Sequence, residues 1–319
     1  MTGARERVLA HLETARPFIS LNAGLTALAG AAVQHRGLPP LGTAAVIVGV
    51  PLAGYLGALY GTDFADREAD RRTRPQRPIP SGRIGEDEAV ILMLACCGLG
   101  FLGASWLGFP AVVAACAAML VGLLRAKTKD MGLVAPVTRS LGTACNLLFG
   151  AAAFGWPLST ATWLVALVFF VDTLPKSLVG GLWDVAADQA TGVRTVWVRH
   201  GVRRSRWLVI GATAAAFVAG AALPFVTPAR IADYWACYAV AAALMALACW
   251  QLLPAAVDSG RALSALDWLL RERTALAAAV LAGAAGVAPA LAVALPVVVL
   301  AEWSRAVVMR PRMYRLQLS

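Results

Sequence analysis

The amino-acid sequence predicts an all-α fold, a polytopic bundle of nine or ten transmembrane helices, forming one domain over residues 1–319. Three observations predict it. Of 319 residues, 59% are hydrophobic and only 14% charged, with a mean hydropathy of +0.69; soluble domains run at about 45–50% and about 25%. The apolar residues gather into runs of about 20, the length that crosses a bilayer as a helix. Lysine and arginine concentrate in alternate connections between those runs. The net charge of +10 taken alone would suggest a nucleic-acid partner. In so apolar a chain, basic loops on one face of a membrane are the better reading, and no nucleic acid is expected.

The runs lie near 17–35, 42–61, 89–108, 110–124, 133–154, 159–182, 207–227, 234–253 and 274–309. The last is too long for one upright crossing, and Pro289 and Pro296 interrupt it, so it is one broken helix or two crossings. Before the first run, Arg5, Glu6, Arg7 and Glu13 leave no early apolar core, so no cleavable signal peptide is expected. Twenty-one lysines and arginines fall in the N-terminal segment and in the second–third, fourth–fifth, sixth–seventh and eighth–ninth connections, against Arg36 and Arg230 in the others. By the positive-inside rule the rich side is cytoplasmic and holds the N-terminus. Arg305, Arg310, Arg312 and Arg315 favour the same side for the C-terminus, hence ten crossings. Trp106, Trp156, Trp207 and Trp235 stand at run ends as interface anchors. The six cysteines lie in apolar runs away from the three histidines, as packed thiols rather than metal ligands or disulfides.

Two acidic clusters interrupt this pattern. In Gly61-Thr62-Asp63-Phe64-Ala65-Asp66-Arg67-Glu68-Ala69-Asp70, the aspartates stand at i, i+3 and i+7, one face of a helix, where the second run ends. The second cluster, Asp184 and Asp188 at i and i+4, closes the sixth run on the same side and is followed by Gly192 and Thr195. Carboxylates gathered on one face repel unless a cation joins them. An oxygen-only donor set suits Mg²⁺ completed by water and phosphate oxygens. Two such sets on one membrane side can clamp a diphosphate, with basic side chains on its free oxygens. Solvated loop charges balancing nearby arginines would explain either cluster alone, but explain the pair poorly.

The paired clusters resemble the signatures of the UbiA-type intramembrane prenyltransferases. The first signature there is Asn-Asp-x-x-Asp-x-x-x-Asp followed by an Arg-Pro-x-x-Pro-x-Gly-like stretch, matched here by Thr62-Asp63, Asp66, Asp70 and Arg77-Pro78-Ile79-Pro80-Ser81-Gly82. The second is Asp-x-x-x-Asp-x-x-x-Gly-x-x-Thr, matched by Asp184, Asp188, Gly192 and Thr195. Arg16-Pro17 ahead of the first run is also familiar from the family. Thr62 departs from its asparagine, and a hydroxyl lacks the paired donor and acceptor of an amide. The resemblance implies a cavity open laterally to lipid, two Mg²⁺-binding aspartate motifs at its cytoplasmic mouth, and transfer of a prenyl group from a prenyl diphosphate to an acceptor, commonly an aromatic ring.

On this reading Asp63, Asp66, Asp70, Asp184 and Asp188 hold Mg²⁺, and the prenyl cation forms where water is excluded. Arg67, Arg77, Lys127 and Lys176 are candidates for the diphosphate. Each has a plainer explanation: a salt bridge for Arg67, loop shape for Arg77, topology for Lys127, and an i,i+4 pair with Asp172 for Lys176. Asn22, Arg139 and Asn146 are polar groups inside runs, where such groups usually face a cavity or a partner; they are cavity or acceptor candidates. Trp183 beside Asp184 covers the cation with its ring or anchors the helix at the interface. Three alternatives stand: a cyclase on the same scaffold that needs no acceptor, transfer to a phospho-sugar or glycerol phosphate, and a transporter.

Overall fold

The computed structural model describes residues 2–128, 131–182, 185, 195–227, 230–254 and 257–309. Among them are twelve α-helices and no strand. A short, polar α1 (Thr2–Ala15) precedes α2 (Pro17–His35), α3 (Leu41–Ala65) and the seven-residue α4 (Arg67–Thr73). Next come α5 (Glu86–Leu107), α6 (Phe109–Lys127), α7 (Val134–Ala152) and α8 (Thr160–Gly180). The last four are α9 (Val196–Val226), α10 (Ile231–Leu252), α11 (Ser259–Ala285) and α12 (Val287–Ser304), closed by a π-helical turn Arg305–Met309. Local chemistry sets several starts. Pro17 and Pro110 occupy first-turn positions where a missing N–H costs nothing. The side chains of Ser159 and Asp258 accept from the backbone N–H groups of Thr162 and Arg261.

Among the described residues, six helices are long and apolar enough to cross a membrane by length and composition: α3, α5, α8, α9, α10 and α12 with its π turn. The structure thus does not confirm nine crossings, although the all-helical class holds. The 274–309 run divides at Gly286, whose φ of 98° is open to glycine and strained for other residues. Pro289 and Pro296, expected to cause the break, lie within α12 instead. A second correction concerns 259–273, read from the sequence as a basic connection. It is helical and contains Arg261, Arg271 and Arg273. Arg261 is exposed, and the other two charges are tolerated because each finds a partner on another element: Arg271 meets Glu302 at 2.7 Å and Arg273 donates to the Thr173 hydroxyl at 2.7 Å.

In a membrane, helices associate through close packing rather than through expulsion of water. At the crossing of α2 and α7, a Cβ on Gly30 would strike the Leu147 carbonyl, and one on Gly150 the Ala27 carbonyl. The main core joins α2, α7, α8, α10 and α11 through Leu28, Leu147, Phe169, Tyr238, Leu276 and Val280. Tyr234 and Tyr238 stack within it at 5.4 Å and send their hydroxyls to the Gly220 and Phe217 carbonyls. The Arg305 guanidinium lies over the Phe18 ring at 5.7 Å, so the end of α12 returns to the start of α2. That end of the bundle also holds the end of α3, the end of α8 and the start of α11.

Candidate active site at the basic mouth

The first aspartate motif sits where α3 gives way to α4. The helix does not run through unbroken as the spacing predicts: Asp66 caps α3 and begins α4, and its side chain is exposed. Asp63 and Asp70 nevertheless converge. They are 8% and 6% exposed, and one guanidinium serves both, with Arg77 Nη1 2.6 Å from Asp70 Oδ2 and 3.8 Å from Asp63 Oδ1. Arg16 Nη2 donates to Asp63 Oδ1 at 3.3 Å from the junction of α1 and α2. Buried carboxylates need such countercharge. Arg77 comes from the segment after α4, whose turns place the Ser81 N–H on the Arg77 carbonyl and the Gly82 N–H on the Ile79 carbonyl.

The remaining candidates fall elsewhere. Thr62 is exposed, and its hydroxyl donates back to the Ala58 carbonyl at 2.8 Å. Arg67 points away from Asp63, with Nε 2.9 Å from Glu86 and its guanidinium 4.1 Å from the Phe64 ring centre. Lys127 ends α6 and is exposed. Asn22 is buried and accepts from the Thr274 hydroxyl at 2.9 Å, tying α2 to α11. Asn146 is half-buried on α7, two turns beyond Arg139. Trp183, Asp184, Asp188 and Gly192 lie outside the described residues. Their flanks are drawn together at the mouth, where Trp197 Nε1 donates to the Leu178 carbonyl and packs against Leu182. The Thr195 hydroxyl nearby is buried and has no partner among the described residues.

Lys176 is only 4% exposed. It reaches Asp172 as the i,i+4 spacing suggests, and also Glu272 on α11, each at 2.5 Å. Arg273 completes the group, donating to the Thr173 hydroxyl at 2.7 Å with Nε 3.7 Å from Asp172. Sequence reasoning missed Glu272 and Arg273 by assigning them to a loop. The apolar spacing of Ala262, Ala265, Leu266, Leu269 and Leu270 was the available sign of helix there. Arg139 faces the mouth from α7, its Nη1 3.7 Å from where a Cβ on Gly180 would lie. Arg125, Arg273 and Arg16 are all within its electrostatic reach.

As a metal site the mouth is chemically suitable. Asp63 and Asp70 already share one cation, Arg77, and present only oxygen donors, the set a hard divalent ion takes with water and phosphate. Among the described residues they are two carboxylates, and no group of three or more potential ligands is found. Paired acidic residues ringed by arginines, at one end of an apolar helical bundle, define a membrane protein whose mouth offers oxygen donors that could take a divalent ion beside guanidiniums that could take an anion.

The profile of the UbiA prenyltransferase family matches residues 23–270, and the chain belongs to that family. It is an integral membrane protein. The digeranylgeranylglyceryl phosphate synthase of Ignicoccus hospitalis is 34% identical over 205 residues, which cover 62% of this chain and 66% of that protein. The Pyrococcus furiosus protein of that name is 29% identical over 195 residues, covering 61% and 70%. The match to the Korarchaeum cryptofilum synthase spans 52% of its length, so these relatives are matched over about half to seven-tenths of their own chains. Two solved structures share the fold. One, from work on digeranylgeranylglyceryl phosphate synthase in membranes, has a TM-score of 0.65 at 20% identity and covers 88% of this chain and 99% of its own. A UbiA homologue from Archaeoglobus fulgidus bound to DMAPP and Mg²⁺ has a TM-score of 0.66 at 13% identity and covers 93% and 99%.

Proposed function

We propose that this protein transfers a prenyl group from a prenyl diphosphate to the hydroxyl of a glycerol-phosphate ether, with Mg²⁺, inside the membrane. The buried Asp63–Asp70 pair at the basic mouth carries the reading of a diphosphate site. The names of the relatives favour the phosphorylated acceptor over the aromatic ring expected from the sequence. A digeranylgeranylglyceryl phosphate minus one geranylgeranyl group is a glyceryl phosphate with one chain and one free hydroxyl, which is the acceptor class inferred for this chain.

Mg²⁺ would be held by Asp63 and Asp70, joined by Asp66, Asp184 and Asp188, and would supply positive charge to the diphosphate oxygens. Arg77 and Arg16 stand beside the same carboxylates and would stabilise negative charge on the departing group. The bond between prenyl C1 and the diphosphate oxygen breaks, and its electron pair leaves with the diphosphate. The acceptor hydroxyl oxygen bonds to C1, and its proton passes to the released diphosphate. The apolar helices around the mouth keep water from the prenyl cation. By the positive-inside rule the mouth faces the cytoplasm.

The test is product analysis by mass spectrometry. Purified protein with Mg²⁺ receives a panel of prenyl diphosphates together with a mono-prenylated glyceryl phosphate, with an aromatic acceptor, or with none. The expected product is a glyceryl phosphate that has gained one prenyl group. Product formed only with the aromatic acceptor would replace the acceptor assignment, and a cyclic hydrocarbon formed with no acceptor would replace transfer by cyclisation.

A further inference from the structure

The inward face of α8 carries a feature that the metal–diphosphate chemistry leaves unused. Thr173, Ser177 and Gly180 stand at i, i+4 and i+7 and share one face. Arg273 from α11 donates to the Thr173 hydroxyl at 2.7 Å. Arg139 from α7 lies against Gly180, its Nη1 3.7 Å from where a Cβ there would stand. Between these two contacts the Ser177 hydroxyl is buried with no partner among the described residues. Two guanidiniums thus bracket two turns of one helix, roughly 10 Å, with an unused hydroxyl between them. Arg125, at the end of α6, adds a third positive charge within reach. Among the described residues no carboxylate lies within ion-pair distance of Arg125 or Arg139.

Like charges gathered from three helices repel one another, and an anion between them would relieve that repulsion. Arg273 is not free to swing away, because Asp172 and Thr173 hold it from behind. Asp172 is itself fixed by Lys176, which Glu272 holds in turn. The buried carboxylates therefore aim Arg273 instead of cancelling the whole site. Guanidiniums suit a phosphate monoester, whose oxygens accept several charge-assisted bonds at once. The aspartate motif is the opposite kind of site, rich in carboxylate and suited to an anion that arrives with metal.

We infer that Arg139 and Arg273, assisted by Arg125 and the Ser177 hydroxyl, form a metal-independent subsite for the phosphate of the acceptor, separate from the aspartate-lined diphosphate site. As a subsite for the acceptor it rests on the function proposed above; as an anion site it does not. Arg16 touches Asp63 and also lies within reach of Arg139, so the two subsites adjoin and the acceptor hydroxyl can approach the prenyl carbon.

Two measurements on the full-length protein in detergent test this. The first is the shift in thermal unfolding with glycerol phosphate in excess EDTA, for wild type, Arg139→Gln, Arg273→Gln and the double variant. Stabilisation of the wild type that is lost in the double variant is expected. No stabilisation of the wild type, or equal stabilisation of the double variant, overturns the subsite whatever the acceptor proves to be. The second is steady-state kinetics with Mg²⁺, a prenyl diphosphate and a mono-prenylated glyceryl phosphate. Each single variant should raise KM for the acceptor at least tenfold and leave KM for the prenyl diphosphate within twofold. A rise confined to the prenyl diphosphate would place the arginines in the donor site and overturn the inference. Metal-independent binding combined with turnover of aromatic acceptors alone would leave the anion subsite standing and sink the proposed function.

Discussion

Two ionic clusters lie at the same end of this bundle and are built from the same residue types, yet they are held differently. In the first, Asp63 and Asp70 meet Arg77 and Arg16. In the second, Asp172 and Glu272 meet Lys176 and Arg273. The cations of the first come from outside the helix interiors: Arg77 from the segment after α4, and Arg16 from a left-handed junction with φ 46°. Those of the second come from the interiors of α8 and α11. Arg77 is 25% exposed at its side chain and Lys176 4%. A cation on a loop at a wet mouth can yield to a metal and its diphosphate. A lysine locked between two carboxylates of packed helices cannot. Local composition therefore does not tell a cation that can yield its carboxylate to metal from one that cannot; the placement and accessibility of the cation do.

The comparison can be broken most forcefully at Glu272. Glu272→Ala strands Lys176 in the interior, and breaking a buried pair in this way costs about 3–5 kcal/mol. A large drop in the unfolding temperature in detergent is expected, and a drop no larger than that of a surface variant would show the second cluster to be as loose as the first. Next is Asp70→Ala, expected to leave stability nearly intact while lowering turnover by about 100- to 1,000-fold, the scale for losing one pre-organised electrostatic group. Unchanged turnover with lost stability would make the first cluster structural. Arg77→Gln keeps the donor geometry and removes the charge, so a smaller loss of roughly tenfold is expected, read as turnover at saturating Mg²⁺. The smallest effect is expected for Thr62→Asn. The Thr62 hydroxyl is engaged with its own helix at 2.8 Å, so turnover should stay near wild type; a dead variant would mean that the pocket depends on the hydroxyl.

Much of this was legible in the sequence. The apolar runs gave the all-helical class, and the spacing of Asp63, Asp66 and Asp70 brought attention to the end of α3. The bridging of Asp63 and Asp70 by Arg77 was not legible, because it depends on a helix that restarts at Asp66 and on how the following segment turns back. The second cluster was hidden for a different reason. Lys176 and Glu272 are 96 residues apart, and a linear reading takes an isolated charge near an apolar run as the edge of a loop. Charges on α11 became affordable inside a helix only once partners on α8 and α12 were brought to them. Arg125 and Arg139 were seen as topology and as a cavity candidate, but their convergence with Arg273 needs three helices in place.

Ionisation of a prenyl diphosphate with metal is the role proposed for the aspartates at the mouth. Its most direct test is diphosphate release by purified wild type, Asp66→Ala and Asp184→Ala, titrated with Mg²⁺ and reversed with EDTA. The account predicts Mg²⁺-dependent release by the wild type, equal in amount to the prenylated product, and loss of release in both variants while they still insert and remain folded. Release that persists in both variants, or that ignores EDTA, would contradict it.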